Sequence, residues 1–130
     1  MVIVVDLGRE AFIGGVGIGQ GTLDMGDRDL KSCEIYVSNS FTFTADGDLE
    51  NYNTTNKDND WTLALTCTNI PNEGGGPYWY DVSDANIAAG VSKGRYLKIR
   101  PTESHRDNNL ASFSELYVKE IVTVDGVPLE

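Results

Sequence analysis

Residues 94–101 read Gly-Arg-Tyr-Leu-Lys-Ile-Arg-Pro and decide the fold. Leu97 and Ile99 alternate there with polar or aromatic residues, a period of two that is typical of a half-buried β-strand. Pro101 has no N–H to donate, so we expect it to end the hydrogen bonding of the strand. A polar loop over residues 102–109 follows, and a second apolar stretch then leads to Val124. The pattern predicts two strands joined by a loop that presents polar side chains.

Similar alternation occurs earlier in the chain. Residues 31–38 and 61–68 each place apolar side chains on one face. Residues 2–7 are apolar on both faces, which is typical of a central strand, and we expect Gly8 to end it. Helical periodicity is limited to one capped turn over residues 83–89. About seven short strands with long loops predict an all-β fold, an antiparallel β-sandwich or barrel.

Length and charge restrict the function. A chain of 130 residues is expected to form a single domain with a real core. It has 10 Lys and Arg against 20 Asp and Glu, and this net charge of -10 makes nucleic acid and anionic membranes poor partners. No apolar run approaches the roughly 20 residues of a membrane-spanning helix. The start lacks the basic segment of a signal peptide, which favours either a cytoplasmic protein or a mature piece of an exported chain.

The chain has two cysteines, and both are predicted to point inward. Cys33 lies on the apolar face of residues 31–38, and Cys67 shares a face with Leu63 and Leu65. They form either a disulfide across the core, which would favour an oxidising compartment, or two buried free thiols. No further Cys or His stands at zinc-binding spacing, so a zinc site is not indicated.

Four segments together carry a resemblance to a known family. In order they are Val4–Gly8, Cys33–Ser38, Gly94–Ile99 and Ala111–Val118. In this order and spacing the chain resembles the coagulation-factor type C, or discoidin, domain. That domain belongs to the galactose-binding-domain-like sandwiches, which include the family 32 carbohydrate-binding modules. The resemblance covers nearly the whole chain, residues 1–130.

The resemblance implies a jelly-roll-like sandwich of two antiparallel sheets that binds ligands, often sugars, in the loops at one end. Such modules are commonly attached to exported glycan-active enzymes or adhesins. In the family, a segment that precedes the match to Val4–Gly8 frames a structural calcium together with the glutamate that matches Glu115. The chain begins after that segment, so Glu115 stands without those partners. We expect a neighbouring domain to cover the sheet edge that this leaves open.

Two stretches offer the flat apolar faces and polar groups that bind sugars. Residues 78–80 read Tyr-Trp-Tyr and follow a glycine-rich stretch, residues 69–77, that we expect to be a mobile loop. Alternation places Trp79 on one face of the strand and Tyr78 and Tyr80 on the other, so either Trp79 or its neighbours face the core. Trp61, at the start of another strand, is expected in the core. The loop after Pro101 holds the one histidine of the chain. This loop either contacts a ligand or is an ordinary solvated loop. The predicted ligand-binding residues are Tyr78, Trp79, His105, Arg106, Asn108 and Asn109, with Arg28 in another polar loop.

Other patterns do not indicate a reactive centre. Gly15, Gly17 and Gly19 lack the Lys-Ser/Thr and the helix of a phosphate-binding loop, so we interpret them as a strand loosened by glycines or as a bulge. An acidic stretch lacks the spacing of an EF-hand and is expected to be solvated. No nucleophile elbow accompanies His105. The acidic residues are Asp46, Asp48, Glu50, Asp58 and Asp60.

These features predict a non-catalytic carbohydrate-binding module of an exported glycan-utilising or adhesion protein, located outside the cell, in the periplasm or at the cell surface. The alternative is a protein-interaction or packing domain of a multidomain surface protein, without a sugar site. The expected partners are a carbohydrate or glycoconjugate and a neighbouring domain of the parent chain. A structural calcium at Glu115 is the one cofactor that the resemblance implies.

Overall fold

The computed structural model describes residues 3–20, 30–40, 61–71, 75–105, 113, 115–124 and 127–128. Within these ranges the chain is mostly β-strand, with one short helix. No helix in these ranges is long and apolar enough to cross a membrane. The elements are β1 (Ile3–Gln20), β2 (Leu30–Ser38), β3 (Thr62–Cys67), β4 (Gly75–Asp81), α1 (Asp84–Ala88), β5 (Lys93–Ser104), β6 (Glu115–Ile121), β7 (Thr123–Val124) and β8 (Val127–Pro128).

One curled antiparallel sheet forms most of the molecule, and β1 belongs to both of its layers. The first part of β1 pairs with β5, from Ile3 opposite Ile99 to Phe12 opposite Lys93. The second part lies between β4 and β6. The first layer therefore has the order β3-β2-β5-β1, and the second has the order β4-β1-β6. The prediction of an all-β, antiparallel sandwich is confirmed.

The two layers enclose one apolar core. Every second side chain of β2 from Cys33 to Val37 is fully buried, which confirms the predicted alternation. Ile13, Val16 and Ile18 of β1 cover the same core from the second layer. Full burial of an Ile or Val side chain contributes about 1.5–3 kcal/mol. The core therefore holds the two layers together through contacts that the alternating pattern specifies.

Gly8 does not end β1, so the prediction at this residue is wrong. The pairing of β1 with β5 shifts between Asp6 and Ala11, which marks a bulge. Gly8 adopts a φ of 85°, a conformation that costs glycine little because it has no Cβ. Its N–H donates to Asp6 Oδ1 at 2.8 Å, and the Arg95 guanidinium donates twice to the same carboxylate, at 2.8 and 3.0 Å. The strand therefore continues past the glycine with a local bend.

Pro101 does not end β5 either. The strand continues to Ser104, with Pro101 opposite Cys33 of β2. The register between the two strands shifts on both sides of Ser32, and irregular pairing of this kind is where a sheet tolerates a residue without an N–H. The longer strand brings Ser104 opposite Leu30, and this places the residues after β5 at one end of the sandwich.

A bulge in β3 changes which of its residues face the core. The pairing with β2 shifts between Leu65, opposite Ile35, and Leu63, opposite Tyr36. Ala64 and Leu65 are consequently both buried, whereas Leu63 is 42% exposed. The prediction that Leu63 points inward is wrong, because one extra residue in a strand moves its neighbours to the other face.

Cys33 and Cys67 are buried free thiols that lie opposite each other in β2 and β3. Of the two arrangements left open by the sequence, the structure has the free thiols. They occupy adjacent strands of one layer instead of facing each other across the core. The hydrogen bond with Cys67, and then burial, raise the pKa of the Cys33 thiol. Cys33 therefore stays protonated at neutral pH and packs as a small apolar group.

A second, smaller cluster surrounds Trp61 on the outer face of the first layer. Trp61 is buried and packs with Val4, Tyr36 and Tyr96, so the expectation that it is a packed core residue is confirmed. Lys98 is fully buried beside it. Its Nζ lies 4.6 Å from the centre of the Tyr36 ring and 5.1 Å from that of Trp61. These ring faces attract the ammonium group electrostatically.

Part of the glycine-rich stretch before residues 78–80 is regular structure. β4 begins at Gly75, so the prediction of a mobile loop is wrong for residues 75–77, and residues 72–74 lie outside the described ranges. The predicted helical turn forms as α1. The Ser83 hydroxyl accepts a hydrogen bond from the Asn86 N–H at 3.2 Å, which is the capping contact expected of a serine there.

Candidate functional site

The glycine run of β1 creates a smooth strip on the second layer. Val16 and Ile18 are fully buried in the core, so alternation turns Gly15, Gly17 and Gly19 toward the outer face. The register shifts next to this run, between Ile13 and Gly15 and between Ile18 and Gln20. The run is thus part of a strand and is bordered by irregular pairing, which confirms that it is strand or bulge and not a phosphate-binding loop.

Trp79 and Tyr117 flank Gly17 from its two sides. Gly17 lies opposite Trp79 of β4 and opposite Tyr117 of β6. The centres of the two rings are 6.1 Å apart, and their planes are inclined by 45°. A Cβ on Gly17 would lie 3.1 Å from two carbons of the Trp79 ring and 3.1 Å from Pro77 Cβ. The absence of a side chain therefore allows the indole to rest against the backbone.

The two rings form an apolar surface that solvent reaches. Trp79 is 49% exposed and Tyr117 is 41% exposed, and Pro77 beside them is also exposed. Trp79 and Tyr117 together with Gly17 beneath them are called the aromatic platform below. Its two ring planes are inclined by 45°, so it is a folded surface instead of a flat one.

Charged side chains stand at both ends of the aromatic platform. Gly15, one pair along β1, lies opposite Asp81 and Lys119. Lys119 Nζ binds Asp81 Oδ1 at 2.6 Å and lies 5.6 Å from the centre of the Trp79 ring. At the other end, the Tyr117 hydroxyl donates a hydrogen bond to the Glu115 carboxylate. The site thus has an apolar centre with oxygen acceptors at each end and an ammonium donor at one.

The structure resolves the alternatives for residues 78–80. Trp79 faces outward, whereas Tyr78 and Tyr80 are half-buried and pack against the core. The pKa of the Tyr80 hydroxyl is raised, mainly because the side chain is partly buried. Of the two residues predicted here as ligand contacts, Trp79 belongs to the aromatic platform and Tyr78 lies on the opposite face.

His105 stands at one end of the sandwich, directly after β5. Its Nε2 lies 2.5 Å from the carbonyl oxygen of Ile70, and an N–H at this nitrogen donates to that oxygen. The residue is half-buried. The other predicted contacts of this loop, Arg106, Asn108 and Asn109, lie outside the described residues, so the end-loop site stays a prediction. Arg28 of the earlier polar loop and the acidic stretch of residues 46–60 also lie outside them.

Glu115 lies at the start of β6 with its carboxylate on the Tyr117 hydroxyl. Within the described ranges, no group of three or more His, Cys, Asp or Glu residues is arranged to hold a metal ion. The structural calcium that the family resemblance implies stays a prediction.

The sequence indicated Trp79 but missed Tyr117, Asp81 and Lys119. A signal was present, because Gly17 and its alternate glycines interrupt a strand whose other residues are apolar. The sequence alone does not indicate that β1 pairs with both β4 and β6. That pairing places side chains from distant segments beside the same glycine.

A second surface feature lies where β6 passes the bend of β1. Arg9 donates two hydrogen bonds to the Glu120 carboxylate, at 2.7 and 2.5 Å. The pair borders a cleft of about 130 Å³ whose remaining lining is aliphatic. The bond from Arg9 lowers the pKa of Glu120. Apart from this ion pair the cleft presents only aliphatic side chains, so it lacks the exposed aromatic rings that distinguish the aromatic platform. The aliphatic lining residues are Leu7, Ala11, Ile13 and Val118.

No protein-family model matches the sequence, and no curated protein matches it at a significant level. Among solved structures, the chain is similar to the C-terminal domain of a chitobiase from Bacteroides fragilis, with 16% identity and a TM-score of 0.59; the match covers 95% of this chain and 64% of that one. It is also similar to a SusE-like protein, with 17% identity and a TM-score of 0.59, over 93% of this chain and 47% of that one. The chain thus spans less than two thirds of either structure. At these identities the likeness shows a shared fold.

Proposed function

We propose that the chain is a non-catalytic carbohydrate-binding domain and that the aromatic platform is its ligand face. One observation carries this proposal. Two rings, each more than two fifths exposed, rest on a glycine backbone with hydrogen-bonding side chains at both ends. This arrangement matches a pyranose, which has apolar C–H faces and a rim of hydroxyl groups.

The energetic argument concerns the exposed aromatic surface. Complete burial of a Trp or Tyr side chain removes about 150–250 Å² from water. Trp79 is still 49% exposed and Tyr117 41% exposed, and contiguous exposed apolar surface marks interaction sites. A sugar ring lying on Trp79 and Tyr117 removes this surface from water. Asp81 and Glu115 then accept hydrogen bonds from its hydroxyls, and Lys119 donates one.

The comparisons support this proposal at the level of fold. One protein with the same fold is the C-terminal domain of a chitobiase, an enzyme named for a sugar substrate. The discoidin-type resemblance favours the same class of ligand. We further propose that the chain acts outside the cytoplasm, attached to a neighbouring domain of its parent protein.

Affinity gel electrophoresis against a panel of soluble polysaccharides tests the proposal. We expect the wild-type chain to be retarded by at least one glycan, and Trp79→Ala or Tyr117→Ala to weaken retention roughly tenfold, because each removes a stacking face. Leu63→Ala is the matched control, since Leu63 has a similar exposure of 42% but lies on β3 in the other layer. His105→Ala tests the predicted end loop separately.

The outcomes separate the two candidate locations. Loss of binding in the Trp79 and Tyr117 variants alone assigns the ligand to the aromatic platform. Loss in His105→Ala alone assigns it to the end loop and rejects the platform. A folded wild-type chain that no glycan retards argues against carbohydrate binding altogether.

A packing domain without a sugar site is the second candidate. The observation that favours it is a group of exposed valines at the β7–β8 hairpin: Val122 at 68%, Val124 at 54% and Val127 at 64%. Such a group suits contact with a neighbouring domain. If the wild-type chain binds no glycan and Val124→Asp abolishes its association with the adjoining domain of its parent protein, this second function replaces the first.

A further inference from the structure

We infer that the aromatic platform binds an internal segment of a linear, uncharged glycan, and not a chain end or an acidic sugar. This inference rests on the proposed function and makes it more specific. It follows from the openness of the surface, from its length along β1, and from the charges at its ends.

Openness argues against recognition of a chain end. A site that selects a terminal sugar must surround it, so that walls exclude the next unit. Here both rings and the residues at both ends of the platform are exposed. Among the residues that the structure describes, no wall closes either end of the platform, so a sugar chain can extend over both ends.

The length of the surface matches several sugar units. Asp81 and Lys119 lie opposite Gly15, and Glu115 lies opposite Gly19. These two glycines are four residues apart along β1, which is about 13 Å in an extended strand. The rings at Gly17 stand between them. A chain that lies along β1 thus contacts polar groups, then the rings, then polar groups again, and each added unit gains contacts until the platform is covered.

The charges argue against acidic sugars. Asp81, Glu115 and Lys119 together leave one net negative charge at the platform, on a chain whose net charge is -10. Lys119 is already paired with Asp81 at 2.6 Å. A uronic acid or sulfated sugar placed on the rings would lie between two carboxylates and be repelled.

Isothermal titration with oligosaccharide ladders tests the inference. The probes are chito-, cello- and galacto-oligosaccharides from monosaccharide to hexasaccharide, with polygalacturonate as the acidic polymer. For the ladder that binds, we expect the hexasaccharide to bind at least about tenfold more tightly than its monosaccharide. We also expect borohydride reduction of its reducing-end sugar, which opens that ring without adding a charge, to change affinity less than about twofold.

A double substitution tests whether the two carboxylates repel acidic sugars. In Asp81→Asn/Glu115→Gln the platform keeps its shape and oxygen acceptors but loses two negative charges. Retention by polygalacturonate should rise in this variant, while wild-type protein shows little.

Each outcome has one meaning. Equal affinity for monosaccharide and hexasaccharide, or tighter wild-type binding of polygalacturonate, overturns the inference and leaves carbohydrate binding intact. If no probe binds to the chain and the broader polysaccharide panel also fails, the proposed function falls with it.

Discussion

Gly17 has no side chain, and the aromatic platform depends on this. A methyl group there would stand 3.1 Å from the Trp79 ring and from Pro77, closer than ordinary van der Waals contact. In Gly17→Ala we therefore expect the indole to lift from the backbone, with a change in tryptophan fluorescence and a roughly tenfold loss of glycan affinity. Gly90→Ala is the control, because Gly90 has a φ of 76° with open space around it and its substitution strains only a distant turn. Unchanged fluorescence and affinity in Gly17→Ala would show that the platform tolerates a side chain there.

Asp6 provides a prediction about pH. Hydrogen bonds from Arg95, and then from the Gly8 N–H, lower the pKa of Asp6 from 3.8 to about 2. A carboxyl group with a lowered pKa in the folded state stabilises the fold fully above its unfolded value, and this contribution is lost as the pH falls through the folded value. We expect the difference in urea midpoint between wild type and Asp6→Asn to shrink between about pH 4 and pH 2. Asparagine keeps one oxygen that can accept from Gly8 but loses the charge and the second acceptor for Arg95, so the comparison reports on the Asp6–Arg95 pair. A difference that stays constant over this range would contradict the assignment.

At the scale of the element, β5 carries a charge that its pattern does not reveal. Alternation correctly placed Leu97 and Ile99 in the core, and put Lys98 on the other face. A polar residue on the outer face of a strand is usually solvated, yet Lys98 is fully buried beside Tyr36 and Trp61. The pattern of one strand predicts which face a residue occupies. It cannot predict what covers that face, because the cover comes from distant segments.

The buried ammonium of Lys98 gives a stability prediction. Methionine has a similar length but no charge, so Lys98→Met removes the attraction to two ring faces. We expect a loss of about 2 kcal/mol in the free energy of unfolding. Lys93→Met is the matched control, because Lys93 Nζ also lies over one ring, that of Phe12 at 5.1 Å, but is solvent-exposed and paired with Glu10 at 3.3 Å. Its loss should be about 0–1 kcal/mol. Equal losses in chemical denaturation would indicate that burial does not strengthen the Lys98 contact.

The strands show how far the sequence determines the structure. Alternation predicted β2 and the sandwich class because a period of two is a local property. The errors at Gly8, Leu63 and Pro101 share one cause. Each lies at a shift of register, where a bulge absorbs a residue that would otherwise end or reverse the strand. Bulges depend on the partner strand, and a single sequence does not identify the partner.

For the whole molecule, the candidate site was predictable only in part. Trp79 was predicted as a ligand contact from its place in an alternating run, whereas the glycine run was interpreted only as strand or bulge and not as part of a site. Tyr117 belongs to a segment 38 residues after Trp79 in the sequence. The curl of the sheet brings the two together, because β1 is long enough to leave β5 and pair with β4 and β6. The site is thus a consequence of topology, which local patterns do not encode.

The charge of the whole chain leads to a last prediction, about salt. A net charge of -10 repels acidic ligands over a distance set by the Debye length, which falls from about 10 Å at 0.1 M salt to about 3 Å at 1 M. An uncharged glycan displaces no ions and meets no such repulsion, so its Kd should change less than about twofold over this range. Weak retention by polygalacturonate should instead increase with salt, since screening relieves the repulsion. Titration of the best oligosaccharide at both salt concentrations distinguishes the two cases. A tenfold loss of affinity at high salt would mean that ionic contacts, and not the rings of Trp79 and Tyr117, supply most of the binding free energy.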